Sequence, residues 1–352
     1  MTRASAQSTN NDTGLLDSFR YRSEHTAGFR AGGRAGLLAL TVVLLTGSPA
    51  NALERHHITE HQIPTSRSAP QLITAGPDGN LWFAEALGNK IGKITPSGKI
   101  TEYSVPTKHS LPGGITAGPD GNVWFTEQAS DKIGKITPSG KITEYQLPRS
   151  SDGSWPWDIT AGVNDDLWFT EWNGNKIGRI TTKGKITEYS VPSKQSGPNY
   201  IATGPDGNLW FTEGRKSKIG KITPRGKITE YNIPTRQATP TGITAGPDGN
   251  LWFTETGGGN KIGKITPKGK VTEYDIPTPY ADLSDITAGP DGNLWFTEIR
   301  GNKIGKITPR GKVTERVIPT PDSTPVGITA GPDGNLWFTE AGGNNIGKIA
   351  TH

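Results

Sequence analysis

From residue 58 onward the chain alternates short apolar runs with turn residues. Ile73-Thr74-Ala75 is closed by Gly76-Pro77-Asp78-Gly79-Asn80, in which Pro at the second position and Gly at the fourth suit a type I turn followed by a left-handed residue. Leu81-Trp82-Phe83-Ala84-Glu85 then reads as a strand on a pleated, half-buried surface. A loop over Ala86–Lys90 leads to a third strand, Ile91–Thr95. Pro96-Ser97-Gly98 repeats the hairpin chemistry, and Ile100–Val105 is a fourth strand stopped by Pro106. Four antiparallel strands in a unit of this length make the blade of a β-propeller.

The unit is written seven times, its tryptophan falling at 82, 124, 168, 210, 252, 295 and 337, a period of 42 to 44 residues. The fourth-strand motif also occurs seven times. Its first copy, Ile58–Pro64, precedes every other strand, and the chain ends after a third strand, Ile346–Ile349. The N-terminal strand is therefore expected to complete the last blade and remove a sheet edge. The predicted fold is all-β: one seven-bladed propeller of four-stranded antiparallel blades over 53–352, closed by its own two ends.

Composition changes this picture little. The 47 Gly and 27 Pro sit at fixed turn positions and so mark hairpins rather than disorder. The net charge of +5 comes from interspersed Lys and Glu, a solvated surface that argues against a nucleic-acid partner. With no Cys, no disulfide framework holds the fold. Residues 1–52 stand outside the repeat. Arg20, Arg22, Arg30 and Arg34 lead into the apolar run Leu37–Thr46, and Ala50-Asn51-Ala52 supplies an A-x-A end. That run is shorter than the roughly 20 residues that span a bilayer. The expectation is an export signal cleaved after Ala52, giving a secreted, periplasmic or cell-envelope monomer without stable membrane insertion.

What recurs in every blade is scaffold; what departs from the repeat is where a site is sought. Glu85, Glu127, Glu171, Glu213, Glu255, Glu298 and Glu340 recur, and so read as strand-end residues rather than a metal ring. The hairpins within blades are uniform in length. Both insertions fall on the opposite, inter-blade face: two residues before Ile159 and one in Thr256–Lys261. Binding residues commonly ride on such loops. Blade three adds Trp155, Trp157 and Asp158 before its first strand and Trp172 after Glu171. Blade four brings Asn199 and Tyr200, blade two Gln128, and blade six Asp285 at the position of Asp158. Aromatic rings beside a few amides and carboxylates suit a small molecule, a peptide or a glycan. Asp158 and Asp285, expected to face each other across the ring, are the places where a cation would sit, with metal occupancy left open.

The motifs G-P-D-G-N-L-W-F-T-E, N-K-I-G-K-I-T and G-K-I-T-E-Y-x-(V/I)-P resemble those of the virginiamycin B lyase (streptogramin B lyase) family over 58–352. The resemblance implies a propeller that linearises a cyclic depsipeptide antibiotic by β-elimination, with Mg²⁺ and a His general base. It places that base at Val326, a second His at Ser284, and metal-binding Glu residues at Thr324 and Ala341, so the residues of the mechanism are not retained. The sequence therefore predicts a non-catalytic, ligand-binding propeller that needs no cofactor. The alternative is a Mg²⁺-dependent C–O lyase acting on streptogramin B antibiotics.

Overall fold

The computed structural model describes residues 58–151 and 153–351. The leader, its cleavage position at Ala52, His56, His57 and His352 lie outside the described residues. Seven four-stranded antiparallel sheets follow one another along the chain. Blade one consists of Pro70–Ala75, Leu81–Glu85, Lys90–Ile94 and Ile100–Ser104, from the inside outward. The seventh sheet is closed by Ile58–Gln62, which pairs with Asn345–Ile349 in the register Ile58↔Ile349 to Gln62↔Asn345. Closure by the N-terminal strand is thus as the sequence predicts.

Each second strand is buried on both faces. Its Trp and Phe leave at most 2% of their surface exposed, and each Phe lies over the Gly of the adjacent third strand, as Phe83 does over Gly92. A Cβ on Gly92 would collide with that ring, which is why K-I-G-K-I keeps a glycine in mid-strand. The Trp indole donates to the turn aspartate, Trp82 Nε1 to Asp78 Oδ1 at 2.9 Å, holding the hairpin against the blade.

Neighbouring blades are joined by repeated contacts. Tyr103 stacks on Trp82 at 5.8 Å and covers Gly140 of the next blade, while Lys93 lies 5.0 Å above Trp82 and donates to Pro138 O. Lys93 faces Thr101 across the strands, and Lys90 is the residue that meets the fourth-strand carboxylate, Glu102, at 2.9 Å. Thr65, on the linker from the preceding strand, donates to both oxygens of Glu102. At the closing joint the same parts recur. His61 takes the tyrosine's place, stacking on Trp337 and covering Gly98, and Lys348 donates to Pro96 O.

Candidate functional site

The sequence reading starts each first strand at Ile73 or its equivalent. The structure starts it three residues earlier, at Pro70, and places a bulge between Pro70 and Ile73. This shift matters because the positions expected on inter-blade loops belong instead to the bulged inner strand, against the central channel. The bulge frees backbone groups that need partners in a buried place. The Thr of W-F-T-E supplies them. Thr126 accepts from Gly114 N and donates to Trp157 O of the next blade, and Thr297 accepts from Asp285 N and donates to Val326 O. Thr170, Thr212, Thr254 and Thr339 make equivalent bonds, whereas blade one has Ala84 there.

Five of the expected site residues are corrected by this geometry. Trp157, Asp158, Asn199, Tyr200 and Asp285 are inner-strand residues, not surface-loop residues. Asp158 Oδ1 accepts from Ile159 N at 2.8 Å and Oδ2 from Ile201 N of blade four at 3.0 Å. Asp285 repeats the arrangement with Ile286 N and with Ile328 N of blade seven. Each carboxyl is a clamp between two first strands, with both oxygens already engaged. Among the described residues no group of three His, Asp or Glu side chains is placed to hold a metal ion. Burial pushes both carboxyls up to about 7, against the pull of the two amides each receives; the charge of Asp285 adds to the rise at Asp158.

Removing a clamp strands two buried amides, each worth about 1–3 kcal/mol when left without an acceptor. Asp285→Ala is therefore expected to lower unfolding free energy by about 2–5 kcal/mol, read from urea denaturation. A change within 0.5 kcal/mol would mean that the clamp does not hold the ring.

Tyr200 fills the channel rather than joining the tryptophans. It is 3% exposed, and its phenol comes within 3.5 Å of Ser284 Oγ on blade six. Leu72 and Val326 belong with it to one apolar cluster, against which Ala341 and Trp157 also lie. The positions where the resemblance asks for the base and one metal-binding Glu are thus occupied by apolar side chains of this cluster. Ser284 is fully buried, and Thr324 turns its hydroxyl to Asp322 O. The two described histidines, His61 and His109, lie on the closing strand and on an exposed linker.

The structure does bring two of the extra tryptophans together. Trp157 and Trp172 are half-buried, with ring centroids 5.8 Å apart and planes 36° off parallel. Trp172 also lies against Gly197 and Gly214 of blade four, and the Arg215 guanidinium stacks over it at 4.7 Å. Arg215 was not singled out from the sequence; the signal was Gly-Arg-Lys-Ser, the one copy of this loop with two adjacent cations, where blade six has the single Arg300. Trp155 sits at a left-handed residue whose N–H donates to Asp131 Oδ1 at 2.8 Å. Gln128 opens a single 3₁₀ turn, with its amide over Gly113 of its own blade. Asn199 is 4% exposed, with Oδ1 buried and without a hydrogen-bond partner.

The seven repeated Glu side chains are fully buried at the ends of the second strands. Glu85 lies under its own strand loop, against Gly88 and Ser68. Burial, then the neighbouring fourth-strand Glu, raises the seven carboxyls to about 7 or 8.

With this geometry established, similarity to known proteins can be placed on it. The profile of the virginiamycin B lyase family matches residues 50–208 and 189–352. Virginiamycin B lyase of Bacillus licheniformis is 50% identical over 43 residues, a stretch covering 12% of this chain and 15% of that protein. A solved streptogramin B lyase is 44% identical with a TM-score of 0.80, covering 83% of this chain and 97% of its own. A catalytically inactive His-to-Ala variant of virginiamycin B lyase from Staphylococcus aureus, solved with quinupristin, is 46% identical. It covers 84% of this chain and 99% of its own, with a TM-score of 0.80.

Proposed function

The chain belongs to the virginiamycin B lyase family, and from that premise we propose that it is a streptogramin-lyase-like propeller that binds a ligand on its inter-blade face without transforming it. The observation that carries this reading is Val326, 5% exposed in the apolar cluster where the family resemblance asks for a general base. Proton abstraction needs a group that titrates near neutrality within reach of the substrate. Val326 offers none. In the Staphylococcus aureus relative, a single His-to-Ala change accompanies catalytic inactivity.

The cofactor that the family resemblance implies does not fit either. Mg²⁺ takes hard oxygen ligands, carboxylates foremost, in near-octahedral geometry. Thr324, Ala341 and Ser284 bring two hydroxyls and no carboxylate, and the Thr324 hydroxyl is already committed to Asp322 O.

The ligand side of the reading rests on Trp157 and Trp172, which together offer half-buried aromatic surface. The ligand is a small molecule, peptide or glycan met outside the cell by an exported monomer. Incubation with a streptogramin B and Mg²⁺, followed by mass spectrometry, is expected to return the intact cyclic compound; a linearised product establishes the lyase reading instead. In parallel, Trp157→Ala and Trp172→Ala are each expected to weaken ligand binding at least tenfold by fluorescence titration. Unchanged affinity in both variants would remove the aromatic pair from the site.

A further inference from the structure

Two blades of the seven lack the asparagine that ties down the linker: blade two has Asp131, whose carboxylate accepts from Ser154 N and Trp155 N, and blade four has a smaller residue. In five blades an Asn ends the loop between second and third strands. Asn89 shows its work: Nδ2 donates to Val105 O and Thr107 O on the following linker, and Oδ1 accepts from Ser110. Asn175, Asn302 and Asn344 do the same, and Asn260 reaches Thr278 O. Blade four has Ser217. Its hydroxyl accepts from Ala238 N, and it is too short to reach the linker carbonyls of Ile233 and Thr235. The space an Asn would take is part of a cleft of about 510 Å³ lined by Lys216, Ser217, Asn232, Ile233, Pro234, Thr235, Arg236 and Gln237.

The chemistry of this cleft is specific. Two cations, Lys216 and Arg236, are exposed at it, and the ion pairs among the described residues leave both unengaged. Two backbone carbonyls and two side-chain amides supply acceptors and donors. Immediately before Lys216 in sequence comes Arg215, its guanidinium 4.7 Å over the Trp172 ring. A stacked guanidinium loses less freedom on meeting a carboxylate than a free one. The strip from Trp157 through Trp172, Arg215 and Lys216 to Arg236 therefore combines apolar ring faces, fixed cations and acceptors for hydroxyl groups.

We propose that this strip binds an acidic glycan, a chain of uronic-acid residues. Pyranose faces lie along the tryptophans, carboxylates meet Arg215, Lys216 and Arg236, and ring hydroxyls donate to the Ile233 and Thr235 carbonyls in the cleft opened by Ser217. The inference rests on the ligand-binding reading of the Trp157–Trp172 sector and names its ligand class.

The probe is an oligogalacturonate, compared by calorimetry with its methyl ester, which keeps the rings and removes the charge. The acid is expected to bind, the ester at least tenfold more weakly, and 0.5 M NaCl is expected to weaken the acid further. Ser217→Asn restores the residue of the repeat and refills the cleft. It is expected to raise the melting temperature and weaken oligogalacturonate at least tenfold, as is Arg236→Gln at unchanged melting temperature. Equal binding of acid and ester overturns the acidic class and leaves the aromatic sector standing. Full affinity in Ser217→Asn, with loss in Trp172→Ala, overturns the cleft alone. No binding of the acid, while a neutral glycan or peptide binds through Trp172, overturns this inference alone; no Trp-dependent ligand of any kind overturns both readings.

Discussion

A chain begun at Thr65, without the closing strand, loses its cooperative thermal transition and elutes as oligomers in place of a monomer. The strand Ile58–Gln62 covers the edge of Asn345–Ile349, and its loss bares a row of unpaired backbone groups on a flat strand. Ile58 and Ile63 are 8% and 1% exposed, and burial of each is worth about 1.5–3 kcal/mol. Glu60, which accepts from Thr320 N and Oγ1, and His61 on Trp337 go with them, as does the Asn344 bond to Ile63 O. The combined loss is comparable with the whole of an ordinary domain's stability, about 5–15 kcal/mol. Supplying residues 54–66 as a separate peptide is expected to restore the transition in a saturable way. An unchanged melting temperature in the truncated chain would show that the ring does not depend on its seal.

The second large effect is with pH. Glu85, Glu255 and Glu340 are raised to about 8, and Glu127, Glu171, Glu213 and Glu298 to about 7, first by burial and then by the fourth-strand Glu beside each. In the unfolded chain these carboxyls titrate near their ordinary value, about 4.3. Between that value and 7–8 the folded ring holds protons that the unfolded chain has released, so stability falls as pH rises through this window. Each proton retained is worth about 1.4 kcal/mol per pH unit. Glu102, Glu144, Glu230 and Glu315 act with the opposite sign. Hydrogen bonds from Lys and Thr or Ser outweigh the opposing burial and hold them below the usual range, so their contribution is lost as pH falls. The two sets together place the melting-temperature maximum at the acid end of this window, about pH 4, with a decline from there towards pH 8. Glu85→Gln, Glu255→Gln and Glu340→Gln combined are expected to raise the melting temperature at pH 8 and flatten that decline. A profile flat from pH 5 to 8 in the parent chain would mean that the ring carboxyls are ionised and solvated.

The repeat made the fold legible, because the period, the turn residues and the displaced fourth strand are all local patterns. The candidate site was legible only in part. Trp157 and Trp172 break the repeat and do meet. Asp158, Asn199, Tyr200 and Asp285 also break it, yet they face the channel, because the first strand begins at a bulge that no alternation announces. The residues there range from Gly to Trp and share no β-propensity. The bulged backbone finds its partner in a Thr of the adjacent second strand in six blades, and blade one forms the same bulge with Ala84 there, so no single residue announces it. Arg215 and Ser217 were written in plain view, but their meaning depends on what they touch or fail to touch: a ring of the neighbouring blade in one case, two linker carbonyls in the other.

The closing joint carries a last consequence. Ile58–Gln62 pairs with Asn345–Ile349 without the hairpin that joins third to fourth strand in every other blade, and it runs on into the first strand of blade one as every fourth strand runs into the next blade. For the ring, chain connectivity at any one joint is then dispensable. A circular permutant whose ends are joined by a short third-to-fourth-strand hairpin, and whose chain is opened in the same hairpin of another blade, closes on the same strand pairing. Where the polypeptide starts becomes a matter of gene order rather than of architecture.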